Sequence, residues 1–421
     1  MPKVLFGNFV NQVMTGVPAG PHVRALTAPS ARKIWYAEVG DMLILPMAPE
    51  RAFLQYACTT LNLIQNDVDI IVPKGPLDEY LAVRLQNDVE AYSKLLAFRE
   101  GNPDATAHLF AQDSVSADFL RSVDLRLHPY STLPTRAALA VASRLNTKSG
   151  FKDLAAGLSI QAVPGELATF QQGLADTARK LLAEHAAVVI KIDRGSNGYG
   201  HTIVRRGDDL GTLDSRLNRF YEQPDRYIVE PLLSFTDLPS VEFQITDAGP
   251  EFSYICNMRC VNNAWTGMIT PASGMSPEIT ATLLRWGRSM AEFLFDAGYR
   301  GTFDIDCGLT AEGALFATES NCRNTGGTYL YFLLKRLFGE AYDSITWLAD
   351  SRGIQNSLSF QAGLDALERA GLAWVPGCQS GVILTSNTRE IDQKWRYVIV
   401  GSSDREVQSI EERLLAVLGD Q

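Results

Sequence analysis

FATESNCRNTGG, residues 316–327, is the stretch on which the reading of this chain turns. As a β-strand its side chains alternate between faces, so Glu319, Asn321 and Arg323 share one face and Ser320 and Cys322 the other. The preceding run GTFDIDCGL is separated from ALFATESNCR by TAEG, a glycine-containing turn signal, which predicts a hairpin. A turn centred between Glu312 and Gly313 sets Asp306 opposite Glu319 and Asp304 opposite Asn321. Like charges facing each other across a ladder cost about 0.2–1 kcal/mol, so a purely structural hairpin has no reason to stack them. On this register, replacing Glu319 by Gln is expected to leave the metal-free protein as stable as before, or more so. A divalent cation would supply the compensation, since carboxylate and amide oxygens are hard ligands suited to Mg²⁺. The solvated face of an ordinary antiparallel hairpin remains the alternative at this point.

The rest of the chain sets the frame. Its 421 residues exceed one ordinary core and predict two or three domains. A net charge of −10, from 38 basic against 48 acidic residues, argues against nucleic acid or an anionic membrane as partner. The start MPKVLFGNFVNQVMTG has too short an apolar run for a signal peptide, and stretches such as AAVVI fall far below membrane-spanning length, so a cytoplasmic protein is expected. Six cysteines without a Cys-x-x-Cys pair and five scattered histidines make a zinc site improbable, leaving reduced, mostly buried thiols.

Along the chain, KVLFGNF, DMLILP and DIIVP alternate with helical patterns such as YLAVRLQNDVEAYSKLLAF, as in a parallel α/β layer, and define an N-terminal domain over residues 1–143. TRAALAVASRLNTKSGFKDLAAG is predicted as a helix, and ATFQQGLADTARKLLAEH as a second. AAVVIKI and HTIVRR flank the loop RGSNGYG and predict a hairpin with a glycine-rich tip. DRYIVEPLL and SVEFQIT follow as strands, and ITATLLRWGRSMAEFLFDAG and TYLYFLLKRLFG as helices. Residues 346–421 offer another helix, the strand SGVILTS and a terminal amphipathic helix. The glycine loop lacks the Lys-Ser or Lys-Thr of a P-loop and the spacing of a dinucleotide fingerprint. Lys191 on the strand before it can set a point charge against phosphates while loop amides bind their oxygens, or can be an exposed strand lysine.

In order, the chain shows Asn146-x-Lys148, Lys191 before Gly195 to Gly200, a strand ending in Glu230, Val241-Glu242-Phe243, and Asp306 followed by Glu319-x-Asn321-x-Arg323. This ordered set resembles the ATP-grasp ligases, over about residues 146–327. The resemblance implies an α/β, ATP-grasp fold: two α+β lobes clamping ATP, with an N-terminal α/β pre-grasp domain and a small C-terminal cap. The grasp domain would span residues 144–345, its lid lobe about 160–230, and the cap 346–421. It further implies that Lys148 and Lys191 contact phosphate, that Gly195, Ser196, Asn197, Gly198 and Gly200 cover it, and that Glu230, Leu232 and Leu233 form an adenine hinge. Glu242 would lie on the nucleotide side, Asp306, Glu319 and Asn321 would bind Mg²⁺ or Mn²⁺, and Arg323 would hold the transferring phosphoryl group or an oxyanion. Arg259, in NMRCVNN, is either an anchor for a substrate carboxylate or a surface arginine.

HPYSTLPTRAALAVASRLNTKSGF, ESNCRNTGGTYLY and GLAWVPGCQSGVIL together resemble the pheganomycin-type peptide ligases. That implies ATP-dependent joining of a carboxylate to an amine on amino acids or small peptides, through an acyl phosphate, with release of ADP and phosphate. A carboxylate–thiol ligase, a kinase, or a non-catalytic nucleotide-binding regulator on the same fold are the alternatives. Oligomeric state is open, a homodimer included.

Overall fold

The computed structural model describes residues 1–14, 21–169, 173–195, 201–213, 217, 226–354 and 358–419. Three sheets organise it. The first is wholly parallel, with β1 (Lys3–Phe6), β2 (Asp41–Ile44), β3 (Val68–Ile71), β4 (Thr106–Leu109) and β5 (Arg126–Leu127) in the order β3-β2-β1-β4-β5. Its central strands are continuous apolar runs because both faces are covered. Val4, Phe6, Met42 and Ile44 enter this domain's own core. Leu5 and Leu43 point the other way, into a core shared with Trp347, Ile383 and Tyr397. Period-2 alternation on two strands thereby joins the N-terminal layer to the C-terminal strands.

The second sheet is antiparallel, with β6 (Glu166–Thr169), β7 (Ala187–Ile192), β8 (Thr202–Arg205) and β9 (Arg226–Pro231) in the order β6-β9-β7-β8. The third has eight antiparallel strands: β10 (Pro239–Thr246), β11 (Gly249–Val261), β12 (Ala264–Thr270), β13 (Gly301–Leu309), β14 (Leu315–Asn321), β15 (Thr346–Gly353), β16 (Gly381–Asn387) and β17 (Lys394–Gly401). Their order is β14-β13-β10-β11-β12-β15-β17-β16, so the C-terminal strands continue the same sheet. On one face of its first strands, Val241, Phe243, Phe303 and Ile305 pack against the helix Pro277–Asp296. That leaves the alternate residues of β10, β13 and β14 facing the other way. No helix among the described residues is long and apolar enough to cross a membrane.

Three predicted helices are shorter or broken, each at a capping residue. YLAVRLQNDVEAYSKLLAF forms two helices, Leu81–Asn87 and Val89–Gly101, because the Asp88 carboxylate accepts from the Ala91 N–H and starts a new one. TRAALAVASRLNTKSGFKDLAAG likewise splits into Arg136–Leu145 and Lys148–Gly157, where Thr147 Oγ1 accepts from the Gly150 N–H. The helix expected from Ala168 begins instead at Leu174, after β6 and a Gly173 with φ of 86°. The strands β12, β15 and β17 carry no clear alternation and were not anticipated from the sequence.

At the seam between the two halves of the large sheet, a Cβ added to Gly267 would lie 1.9 Å from the Ala349 carbonyl oxygen. Backbone cannot yield as a side chain tip can. Gly267→Ala is therefore expected to destabilise the protein by at least about 1–3 kcal/mol, read as a lower midpoint in urea denaturation.

Candidate active site

The outward face of the large sheet carries an ordered lattice of polar side chains. Asp304 pairs with Asn321 and Asp306 with Glu319 across β13 and β14, the register expected from the sequence. Two departures cancel to give it. The turn is centred on Glu312, with Leu309 opposite Leu315, and a bulge at Thr318 restores the register beyond Asp306. Thr318 Oγ1 donates to the Asp306 carbonyl at 3.0 Å and pins that bulge. On β10, Glu242 stands opposite Asp304 and Ser240 opposite Asp306. Four carboxylates thus share one face of three adjacent strands.

Their charge is handled in three ways. Glu242 is fully buried, and its Oε2 accepts from Thr328 Oγ1 at 2.7 Å and from Thr325 Oγ1 and Tyr254 Oη at 3.0 Å. Burial nevertheless outweighs these bonds and pushes its pKa up to about 7. Burial, then Glu242 beside it, also lifts Asp304 to about 7, and burial with Asp304 and Glu319 holds Asp306 well above the carboxylate range. Asn321 bridges the two aspartates, its Nδ2 donating to Asp304 Oδ1 at 2.8 Å and Asp306 Oδ2 at 3.1 Å. Glu319 goes the opposite way. Burial opposes ionisation there, but Lys148 Nζ at 2.9 Å, then Lys191 and His201, bring it down to about 2. The anticipated repulsion between Asp306 and Glu319 is therefore largely relieved already, by a proton on one and an ammonium on the other.

Lysines arrive from two lobes. Lys148 is the first residue of its helix, and its N–H donates to the Asp193 carbonyl at 2.9 Å. The Asp193 carboxylate accepts from Ser149 N and Oγ at 2.8 and 2.9 Å, fastening that helix start to the end of β7. Lys191 Nζ lies 2.6 Å from Glu230 Oε2 and Lys152 Nζ 2.5 Å from Glu230 Oε1. The Glu230 side chain is 1% exposed. Burial would raise its pKa, but the two lysines hold it below the usual range. His201, beside Lys191, Lys148, Glu319 and Glu230, is driven to about 3 by burial and the two lysines, so it is neutral at pH 7. Lys152, Asp193 and His201 were missed in the sequence, where nothing in their local patterns sets them apart.

Arg323 closes the lattice. Its Nη2 donates to Asn321 Oδ1 at 2.6 Å and its Nη1 to the Asn324 carbonyl at 3.2 Å, while its buried Nε has no partner among the described residues. It lines a cavity of about 320 Å³ with Gln244 and Thr302, the next positions along the same face, and with Phe110 and Lys33 of the N-terminal domain. Of the hinge residues, the Leu232 N–H is committed to the Ala187 carbonyl at 3.0 Å. Glu242, expected on the nucleotide side, is sealed beneath Asp304 by the Thr325–Thr328 turn. Gly195 is described, whereas Ser196, Asn197, Gly198 and Gly200 lie outside the described residues.

Arg259 is a correction. Asn257 and Arg259 alternate with the site-facing Cys256, and Arg259 Nη1 pairs with Asp350 Oδ2 at 3.1 Å and Glu411 Oε1 at 2.7 Å. Arg259, Gly267 and Asp350 form one row on the opposite face, and the missing side chain at Gly267 lets the guanidinium reach across. It ties β11 to β15 and to the terminal helix Asp404–Gly419 instead of joining the site.

The donor set fits a divalent cation that arrives with phosphate. Among the described residues no group of three or more His, Cys, Asp or Glu is placed to hold a metal ion. Mg²⁺ commonly takes one or two carboxylates and completes its shell with water and phosphate oxygens, which the facing pair Asp306 and Glu319 can serve. Asn321 would have to turn its amide to offer oxygen in place of Nδ2.

Residues 30–125 match the family model of the pre-ATP-grasp domain. No curated protein matches the chain by sequence. Among solved structures, the N5-carboxyaminoimidazole ribonucleotide synthetase of Thermus thermophilus covers 100% of this chain and 99% of its own, at 15% identity and a TM-score of 0.58. Biotin carboxylase of Campylobacter jejuni covers 99% and 91%, at 13% identity and 0.60. The biotin carboxylase domain of Hydrogenobacter thermophilus 2-oxoglutarate carboxylase, in complex with MgADP, ADP and bicarbonate, covers 98% and 89%, at 13% identity and 0.61. At such identities the likeness is one of fold. The chain is an α/β protein with the ATP-grasp fold, a pre-ATP-grasp domain before it and a small C-terminal cap.

Two stability measurements check this electrostatic account. Glu319→Gln strips Lys148 of its anion, so in EDTA the variant is expected to melt lower than the parent, reversing the expectation from sequence. The loss should fall between the ~1 kcal/mol of an exposed pair and the ~3–5 kcal/mol of a fully buried one. Glu242 has its folded pKa raised above the unfolded value, so between about pH 4.5 and 7 the native state holds a proton the unfolded state has lost. Stability in EDTA should then fall as pH rises through that window, by up to about 1.4 kcal/mol per unit for this group. The Glu319 contribution, gained between about pH 2 and 4.5, is complete by then. Chemical denaturation from pH 5 to 7 should show a shallower slope for Glu242→Gln.

Proposed function

We propose that the protein is an ATP-dependent ligase that joins a carboxylate to an amine through an acyl phosphate, releasing ADP and phosphate. The observation that carries this reading is the convergence of Lys148 and Lys191, from two lobes, on the face where Asp306 meets Glu319 and Asp304 meets Asn321. Three ammonium groups, paired here with Glu230 and Glu319, and the Arg323 guanidinium line this face, and phosphate oxygens can take the place of those carboxylates. ATP is the polyphosphate this fold is read to take, with its base at the hinge of Glu230, Leu232 and Leu233, where the Leu233 amide and the carbonyls would meet it.

A substrate carboxylate oxygen attacks the γ-phosphorus, the bond from that phosphorus to the β–γ bridging oxygen breaks, and ADP leaves. Lys148 and Lys191 hold the phosphates in line, and Arg323 offers its unpartnered Nε to the oxygen that gains charge. The amine, arriving deprotonated, then attacks the acyl carbon. The bond to the phosphate oxygen breaks, phosphate departs, and the nitrogen loses a proton to give the amide. Mg²⁺ or Mn²⁺ held by Asp306, Glu319 and Asn321 would supply charge neutralisation on the phosphates. The hairpin β7–β8, with Lys191 and His201 at its site end, would exclude the water that hydrolyses an acyl phosphate.

The motifs ESNCRNTGGTYLY and GLAWVPGCQSGVIL support an amino acid or small peptide as substrate and a role in peptide natural-product biosynthesis. Small-molecule turnover is tested by scoring phosphate release over a panel of amino acids and dipeptides, with mass spectrometry of the products. ADP and phosphate are expected in equal amounts; stoichiometric AMP would overturn the reading. Glu319→Gln should lower the rate by about 10³-fold or more at saturating ATP and Mg²⁺, as loss of several kcal/mol of charge stabilisation requires. A rate within a few-fold of the parent would remove Glu319 from the site.

A further inference from the structure

Among the described residues, the interior cations around the site have partners, with one exception. Lys148 has Glu319, Lys152 and Lys191 share Glu230, and Arg259 has Asp350 and Glu411. Where no carboxylate is at hand, carbonyls serve: Lys33 Nζ donates to His108 and Leu109 carbonyls at 3.1 Å, and Arg194 to those of Val13 and Ser143 at 2.7 and 2.9 Å. Arg32, in the same short helix as Lys33, is partly buried and has neither a hydrogen bond nor an ion pair among the described residues. Its guanidinium lies over three rings instead, 4.9 Å from the centroid of Tyr329, 5.0 Å from Phe9 and 5.6 Å from Phe110.

Ring faces attract a cation but leave its five N–H donors unmet. None of the strongest influences on its charge is a carboxylate. The chain carries Lys3, Arg24, Arg32 and Lys33 before its first acidic residue, Glu38. Burial pulls the Arg32 pKa below its usual range, and of the charged neighbours Arg396 and Arg323 both repel it. Two guanidinium groups, Arg32 and Arg323, each have unused donors and repel one another without an anion between them. An anion from outside would resolve that repulsion and fill those donors.

Position narrows what that anion is. Phe110, under the Arg32 guanidinium, also lines the cavity beside Arg323, and its carbonyl accepts from the Asn324 N–H at 3.0 Å. Tyr329 lies in the first turn of the helix that follows Arg323. Arg32 is thus linked to Arg323 through Phe110 and through the helix that follows Arg323, whereas the ligase reading sets the reacting carboxyl against the phosphates held by Lys148 and Lys191. We propose that Arg32 anchors a carboxylate that takes no part in bond formation, so that one substrate is an amino acid or peptide whose free carboxyl group survives in the product. This rests on the ligase reading for its chemistry, but not for its test.

The test is calorimetric binding, without nucleotide, of a panel of amino acids and dipeptides to the full chain, each as free acid and as C-terminal carboxamide. At least one free acid should bind, and its carboxamide at least about tenfold more weakly. Arg32→Met should weaken the acid to the level of its carboxamide, and Arg32→Lys, which keeps the charge but not the fork, should fall between. Unliganded Arg32→Met should melt no lower than the parent, since it removes a cation without an anion. Equal binding of acid and carboxamide, binding unchanged in Arg32→Met, or no binding by any member of the panel would each overturn the proposal. If the reacting carboxyl alone were gripped, binding would survive loss of Arg32. Should no acid–amine pair yield ADP, the ligase reading fails by itself, and the difference between acid and carboxamide still decides Arg32.

Discussion

Four carboxylates crowded on one face of β10, β13 and β14 are the constraint around which this molecule is arranged. The fold does not treat them alike. At the Glu242 end, burial favours the protonated form against the pull of three donating hydroxyls; at the Glu319 end, an ammonium enforces the ionised one. Asp304 and Asp306 lie between, bridged by the two hydrogens of the Asn321 amide. The result is a step in ionisation, with three carboxyl groups raised by burial and Glu319 alone lowered by the lysines. A divalent cation inverts the local pKa logic, converting raised carboxyl groups into ligands. The same burial that protonates Asp306 in the absence of metal would then strengthen its hold on one.

The lysines impose a second arrangement on top of the first. Glu230 sits on β9 of the small sheet yet takes Lys152 from the helix Lys148–Gly157 as well as Lys191 from its own sheet. Asp193 repeats the connection, holding the start of that helix from the end of β7. Lys148 is thus fixed from one side by the small sheet and from the other by Glu319 of the large one. Entry of a polyphosphate would exchange carboxylate partners for phosphate oxygens at Lys148 and Lys191, and so loosen one set of contacts between lobes while making another. A site whose lobes are held by ion pairs that a ligand can replace is one in which binding and closure are coupled.

Much of this was legible because strand periodicity is a strong signal. A two-residue period puts Glu319, Asn321 and Arg323 on one face whatever the turn does, and the hairpin signal TAEG brought Asp304 and Asp306 opposite them. The half-residue error in the turn was hidden by the bulge at Thr318, which no local pattern announces. The break before Lys148 was written in Asn146-Thr147, but a capping threonine inside an otherwise periodic run is easily read through. Lys152, His201 and Asp193 could not be found this way. Each becomes part of the site only through contacts across the lobes, such as Lys152 with Glu230, and a single sequence carries no record of such proximity.

Arg259 and Arg32 show why residue type alone misleads. Arg259 lies in β11 and Arg32 in the short helix Ala28–Tyr36, and in the sequence only Arg259 stands beside a strand-like run. The structure reverses their standing through partners. Arg259 pairs with Asp350 and Glu411, and Glu411 in turn accepts from Tyr397 Oη at 2.7 Å, so the guanidinium has its carboxylates within the fold. Arg32 closes nothing. A buried charge with its partners present explains itself by the stability of the fold, whereas one without partners costs the fold stability and must be explained by something the fold does. By that criterion the facing carboxylates, with Lys148 and Asn321 as partners, are accounted for within the fold, and it is the guanidinium of Arg32 that calls for a partner from outside.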